Sequence, residues 1–233
     1  MKQLLFLSIA LIALTSCNFT TGSGNIITEK RATDNFKGIS VGGGFNVELK
    51  TGPVTEVIVE ADDNIMKYIE TTVSGGILKI GIKNLHSLSN AHLKVYITAP
   101  DINSIKASSG SDVVVRDVLK NDGKLSFHAS SAGTIITDVD APEVVAEASS
   151  GSTITLSGKT KNYNAEASSG SDLKTADLLS ENTVVNVSSG ANAYVHASVK
   201  LTATASSGAD VKYYGAANVD KTVSSGGSVE KKE

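Results

Sequence analysis

One heptapeptide is written seven times along this chain. ASSGSDV at Ala107–Val113 returns as ASSAGTI from Ala129, ASSGSTI from Ala148, ASSGSDL from Ala167, VSSGANA from Val187, ASSGADV from Ala205 and VSSGGSV from Val223. The first serines fall at 108, 130, 149, 168, 188, 206 and 224, so the steps are 22, 19, 19, 20, 18 and 18. A period near 19 without helical patterning predicts a solenoid, in which each repeat is one coil that buries its apolar face only against its neighbours.

Reading down the copies tests this. The residue before each Ser-Ser is Ala107, Ala129, Ala148, Ala167, Val187, Ala205 or Val223, always small and apolar. Six places on stand Val113, Ile135, Ile154, Leu173, Ala193, Val211 and Val229. One place before the small column come Lys106, His128, Glu147, Glu166, Asn186, Thr204 and Thr222, all polar. Neighbouring columns therefore alternate with the strand period of two, in register across copies. Stacked coils bring equivalent residues about 4.8 Å apart. Small side chains then suit a sharp corner, glycine supplies its positive φ, and a serine column can pass hydrogen bonds from coil to coil. If alternation carries through the turn, the second serines (Ser109, Ser131, Ser150, Ser169, Ser189, Ser207 and Ser225) point inward as a hydroxyl ladder. The predicted fold is all-β, a right-handed parallel β-helix or β-solenoid of about seven C-terminal coils with a strand-rich N-terminal part.

Upstream of the repeat, Phe45–Leu49, Val57–Val59 and Leu93–Ile97 alternate like half-buried strands. Gly42-Gly43-Gly44 and Gly75-Gly76 mark turns, and Asp62-Asp63-Asn64 is placed to cap a short helical turn through Ile65, Met66 and Ile69. At the start, Lys2 precedes an apolar run from Leu4 to Leu14 that ends in Leu14-Thr15-Ser16-Cys17, a pattern resembling the lipobox of bacterial lipoprotein signals. The expected organisation is thus a signal peptide over 1–16, a lipidated Cys17 with a flexible tether over 17–25, a strand-rich part over 26–104 and the repeat over 105–233. Cys17 is the sole cysteine, so no disulfide forms within the chain. Asn18 rather than aspartate follows it and no acidic run comes after, which points to an outer-membrane anchor.

Chemistry is sparse. Losing Lys2 with the signal takes the formal charge from −3 to −4, and no basic stripe offers itself to nucleic acid. Asp112, Asp172 and Asp210 share one column with Thr134, Thr153, Asn192 and Ser228. Asp172 and Asp210 would stand two coils, about 9.6 Å, apart, at the outer edge of the inverting-glycosidase range, so a carbohydrate-active enzyme is the alternative reading. Aspartate beside glycine and serine is equally a turn residue, and Thr, Asn or Ser substitute for it as turn chemistry allows. His86, His92, His128 and His196 are scattered, with no zinc spacing, and no cofactor or metal is expected. Seven equivalent serines without a Gly-x-Ser-x-Gly elbow do not make a nucleophile. Tyr194 and Tyr214 would face outward on one wall, where they could stack on a glycan or a protein ligand.

Phe36-Lys-Gly-Ile-Ser-Val41 with its glycines and Phe45-Asn-Val47, Val59–Ile65, Val73–Ile80, Val95–Pro100 and the Ser-Ser-Gly coils together resemble the "putative auto-transporter adhesin, head GIN domain" family, over about Phe36 to Val229. The resemblance implies a β-helical solenoid, commonly a lipoprotein, and brings no catalytic residues. The expected role is a non-enzymatic envelope adhesin or surface-presenting scaffold, with a self-associating structural module as a further alternative.

Overall fold

The computed structural model describes residues 19–83 and 86–233; the expected signal peptide and Cys17 lie outside them. The N-terminal strands are β1 (Phe19–Thr21), β2 (Ile26–Arg31), β3 (Gly38–Gly42), β4 (Asn46–Thr51), β5 (Glu56–Asp62), β6 (Ile69–Ser74), β7 (Ile77–Ile82), β8 (Ser87–Ser89) and β9 (Leu93–Ala99). The repeat supplies β10 (Ser104–Ser108), β11 (Asp112–Lys120), β12 (Lys124–Ala129), β13 (Thr134–Ala148), β14 (Thr153–Ala167), β15 (Asp172–Thr175) and β16 (Leu178–Val187). It ends with β17 (Asn192–His196), β18 (Lys200–Ala205), β19 (Asp210–Tyr214), β20 (Asn218–Val223) and β21 (Ser228–Lys231).

These strands stack in parallel as two walls joined at the Ser-Ser-Gly corners. Along the first wall Ala107 pairs with Ala129, Ala129 with Ala148, Ala148 with Ala167, Ala167 with Val187, Val187 with Ala205 and Ala205 with Val223. Along the second, Val113, Ile135, Ile154, Leu173, Ala193, Val211 and Val229 pair in succession. The register read from the columns is therefore the register of the sheet. Seven corners enclose a β-solenoid of about six turns, because only β21 follows the last corner. One apolar core runs its whole length and includes Phe127, Tyr163, Leu173 and Val211.

The solenoid begins before Ile105. β3 pairs in parallel with β10 and β4 with β11, so Val41 meets Ala107 and Val47 meets Val113. Gly42-Gly43-Gly44 is thus the Ser-Ser-Gly corner of an earlier coil. Outside it lies another, in which β7 pairs with β3 and β9 with β4. Antiparallel strands then close this end: β6 on β7, β5 on β9, and β2 on β5. The expected short helical turn is a single 3-10 turn over Met66–Tyr68, and it has no side-chain cap.

Two expectations are corrected. The second serines do not point inward. Ser109, Ser131, Ser150, Ser169, Ser189, Ser207 and Ser225 are exposed, with φ between 46° and 54°. The following residue, usually glycine, also has positive φ, and the next amide reaches back three residues, as from Ser171 N to Ser168 O at 3.3 Å. Two successive positive φ values in a bonded four-residue turn are the type I′ signature. The turn interrupts strand alternation, so the inward position falls two residues later, at Ser111, Ser152 and Ser171. The second serines are linked from coil to coil through their backbone carbonyls, which accept from Gly110, Ala132, Gly151, Gly170, Gly190 and Gly208 of the preceding coil.

The expected flexible tether is also replaced by structure from Phe19 onward. β1 pairs in parallel with β8, Gly24 N donates to the buried Asp62 carboxylate at 2.7 Å, and Asn64 Nδ2 donates to Thr21 O at 2.8 Å. At the far end, the inward column Ile105, Phe127, Ala146, Ala165, Val185 and Ala203 terminates in Lys221. Its ammonium donates to Val229 O at 3.2 Å, placing a charge where another coil would stack.

Candidate interaction surface

Strand alternation turns His128, Glu147, Glu166, Asn186 and Thr204 outward as adjacent members of one column on the first wall. Beside them run the half-buried first serines Ser149, Ser168, Ser188 and Ser206. The two columns line an open groove of about 390 Å³. Carboxylates accept hydrogen bonds, hydroxyls donate and accept, and successive polar side chains of the column follow one another at the strand spacing of about 4.8 Å. His128 Nδ1 lies 3.1 Å from Glu147 Oε2. The groove can therefore offer an extended polar ligand one polar side chain per coil, with a serine hydroxyl repeated alongside. Sequence reasoning found this column as a polar stripe but assigned it no role; its unbroken polarity beside a serine column was the available signal.

The tyrosines lie on the second wall. Tyr194 pairs with Lys174 on one side and Lys212 on the other, while Tyr214 pairs with His196. Both are half-buried, and they sit diagonally rather than in one column. The Lys212 ammonium stands 5.2 Å from the Tyr194 ring centroid, so a ligand stacking on that face has to displace it. Tyr213 packs against the core.

The aspartate column is not gathered into a site. Thr134 and Thr153 separate Asp112 from Asp172, and Asn192 separates Asp172 from Asp210. Asp172 Oδ1 accepts from Asn192 Nδ2 at 3.0 Å and Asp210 Oδ1 from Ser228 Oγ at 2.5 Å, so both carboxylates tie one coil to the next. Among the described residues no three His, Cys, Asp or Glu side chains come together as a metal-binding group. The most perturbed acid, Glu48, is structural. Hydrogen bonds from Arg116 at 3.1 Å and Lys94 at 2.9 Å hold its carboxyl down to about 2.

The sequence pattern of a family described as "Putative auto-transporter adhesin, head GIN domain" matches residues 35–217. Three solved structures are similar over nearly their whole lengths. A "putative adhesin" from Bacteroides fragilis NCTC 9343 is 18% identical with a TM-score of 0.83, covering 91% of this chain and 98% of its own. A "putative lipid binding protein" from Parabacteroides distasonis ATCC 8503 is 16% identical with a TM-score of 0.79, covering 93% and 100%. A "putative adhesin" from Parabacteroides merdae ATCC 43184 is 17% identical with a TM-score of 0.72, again covering 93% and 100%. At these identities the likeness is one of fold. No curated protein matches the chain.

Proposed function

This chain belongs to the family described as "Putative auto-transporter adhesin, head GIN domain", and we propose that it is a non-enzymatic adhesin of the cell envelope, anchored through lipid on Cys17 to the outer membrane. Its ligand is an extended polar chain, a glycan or a protein segment, laid along the first wall. The observation carrying this reading is the groove in which a polar side chain (His128, Glu147, Glu166, Asn186 or Thr204) recurs once per coil beside a column of serines. Repetition suits a ligand that itself repeats, and an open groove suits binding better than turnover, which needs groups converging on one reacting atom. The non-enzymatic reading is supported by the spacing of Asp112, Asp172 and Asp210, each kept from the next by at least one uncharged residue.

A glycan and envelope-component binding screen tests the proposal, run on the wild-type protein and on three double variants. Loss of binding in Glu147→Gln/Glu166→Gln with retention in Tyr194→Ala/Tyr214→Ala is the expected result. The reverse pattern moves the site to the second wall. Turnover of a polysaccharide, abolished by Asp172→Asn/Asp210→Asn, overturns the non-enzymatic reading.

A further inference from the structure

The chain joins the fold at Phe19, and only Asn18 stands between that residue and Cys17. Two residues of extended chain reach at most about 7 Å. β1 cannot lengthen this reach by peeling away freely, because it is fastened along its whole course. Phe19, Thr20 and Thr21 pair with Ser87, Leu88 and Ser89, Thr20 Oγ1 lies 2.7 Å from His86 Nε2, and Gly22 N donates to Ser89 O at 3.1 Å. Gly22 is packed so closely that a Cβ there would stand 2.5 Å from both Asn90 O and Asp62 Oδ2.

The corner fixed in this way has the residues of a membrane interface. Phe19 is 64% exposed. Next to its partner Ser87, His86 stacks on Tyr68 at 4.1 Å, and the Lys67 ammonium stands 5.0 Å from the Tyr68 ring. Lys83 Nζ reaches Lys67 O at 3.4 Å. Of the nearby acids, Asp62 accepts from Gly24 and His92 amides and Asp63 from Ser23 and Asn25, while Glu70 stays exposed on β6. Aromatic rings and lysines are the side chains that settle at the headgroup level of a bilayer.

We propose that the N-terminal corner of the solenoid is seated directly on the bilayer, with Phe19 entering the headgroup region and Lys67 and Lys83 facing lipid phosphates. The inference rests on the lipid anchoring of Cys17 proposed above. Seating leaves the Ser-Ser-Gly coils, and the groove on their wall, projecting from the lipid.

The chain has no tryptophan, so Phe19→Trp introduces a single reporter. The full chain is expressed in a bacterium that acylates lipoproteins, extracted, and reconstituted into phosphatidylcholine and phosphatidylglycerol vesicles carrying dibrominated phosphatidylcholine. Mass spectrometry of the N-terminal peptide is read first, and circular dichroism checks the fold. Val223→Trp, at the opposite end of the solenoid, is the reference. The expected result is blue-shifted Phe19→Trp emission quenched about twofold or more by bromolipid, as for a side chain within about 5–10 Å of the headgroup and acyl boundary, with Val223→Trp unquenched. Equal, unquenched emission from both variants on a lipid-bearing chain overturns the seating alone. A Cys17 without lipid overturns the anchoring reading and the seating with it.

Discussion

Three corners set one serine inside (Ser111, Ser152 and Ser171) and another outside, two residues apart, and the two positions differ in what they hold. Ser171 Oγ donates to Ala148 O at 2.9 Å and accepts from Ser168 N at 3.1 Å. Ser171→Ala is expected to lower stability by about 1 kcal/mol. The loss stays small because Ser168 N also reaches Ala148 O at 3.0 Å and the same column already accepts Ala191 and Ala209. Ser169→Ala removes only an exposed hydroxyl and should stay within about 0.5 kcal/mol of wild type in urea unfolding. The glycines separate backbone conformation from space in the same way. Gly151 has φ 70° and nothing near the site of a Cβ, so Gly151→Ala carries only left-handed strain, about 1–2 kcal/mol. Gly158 has φ 105°, and a Cβ there would stand 2.1 Å from Val139 O. Gly158→Ala should therefore cost about 3 kcal/mol or more and shift the urea midpoint well beyond Gly151→Ala. These distinctions mark where the sequence stops being legible at this scale. The columns at Ala107 and Val113 could be read because strand alternation fixes which way each side points. Ser109 could not be, because two left-handed residues in succession reset the alternation, and serine gives no compositional sign of a positive φ.

Among the elements, β4 is held to both its neighbours by one carboxylate. Glu48 accepts from Lys94 on β9 and Arg116 on β11, stitching the second wall across three strands. Its ordinary value of 4.5 is lowered to about 2 in the fold, chiefly by the Arg116 hydrogen bond and then by Lys94. A lowered carboxyl contributes stability that is complete above its unfolded value and disappears as pH falls through the folded one. The stitch is thus expected to be intact above about pH 4.5 and to be lost between there and pH 2. Glu48→Gln should flatten the fall of the urea midpoint over that interval without removing it, because the Asp62 carboxyl is also held below its usual range by amide hydrogen bonds from His92 and Gly24. An unchanged acid slope in Glu48→Gln would show that the stitch adds nothing to folding. The repeat strands were legible because consecutive coils in sequence are consecutive in space. The two earlier coils were hidden because β7 and β9 lie outside β3 and β4, although they follow them in the chain. Gly42-Gly43-Gly44 also carries the corner without its serines. β1 was hidden for a different reason: nothing local makes a strand of Phe-Thr-Thr, and its partners Ser87–Ser89 are distant in sequence.

For the whole molecule, the parallel ladders fix how the parts depend on one another. Each coil of the repeat touches the one before and the one after, and both walls keep their register through every Ser-Ser-Gly corner. Stability in such a stack is close to a sum of coil and interface contributions, so a coil can be removed without abolishing the rest. Residues 149–167 are one such unit, running from the corner after Ala148 to the small residue Ala167 before the next corner. Deleting them joins Ala148 to Ser168, which restores the same corner in sequence and sets Thr134 opposite Asp172, as Thr153 stands now. Apolar columns then still meet apolar columns, with Ile135 over Leu173, whereas a deletion offset by one residue would turn every side chain of the following strand to the wrong face. The in-register deletion is expected to leave a β-rich circular dichroism spectrum and a cooperative urea transition, with the m-value reduced by roughly a tenth in keeping with the surface removed. The control that deletes residues 149–166, one fewer, should lose the cooperative transition. If both deletions unfold alike, the coils are not the independent stacking units that the register makes them, and the stability of the solenoid resides in its N-terminal closure.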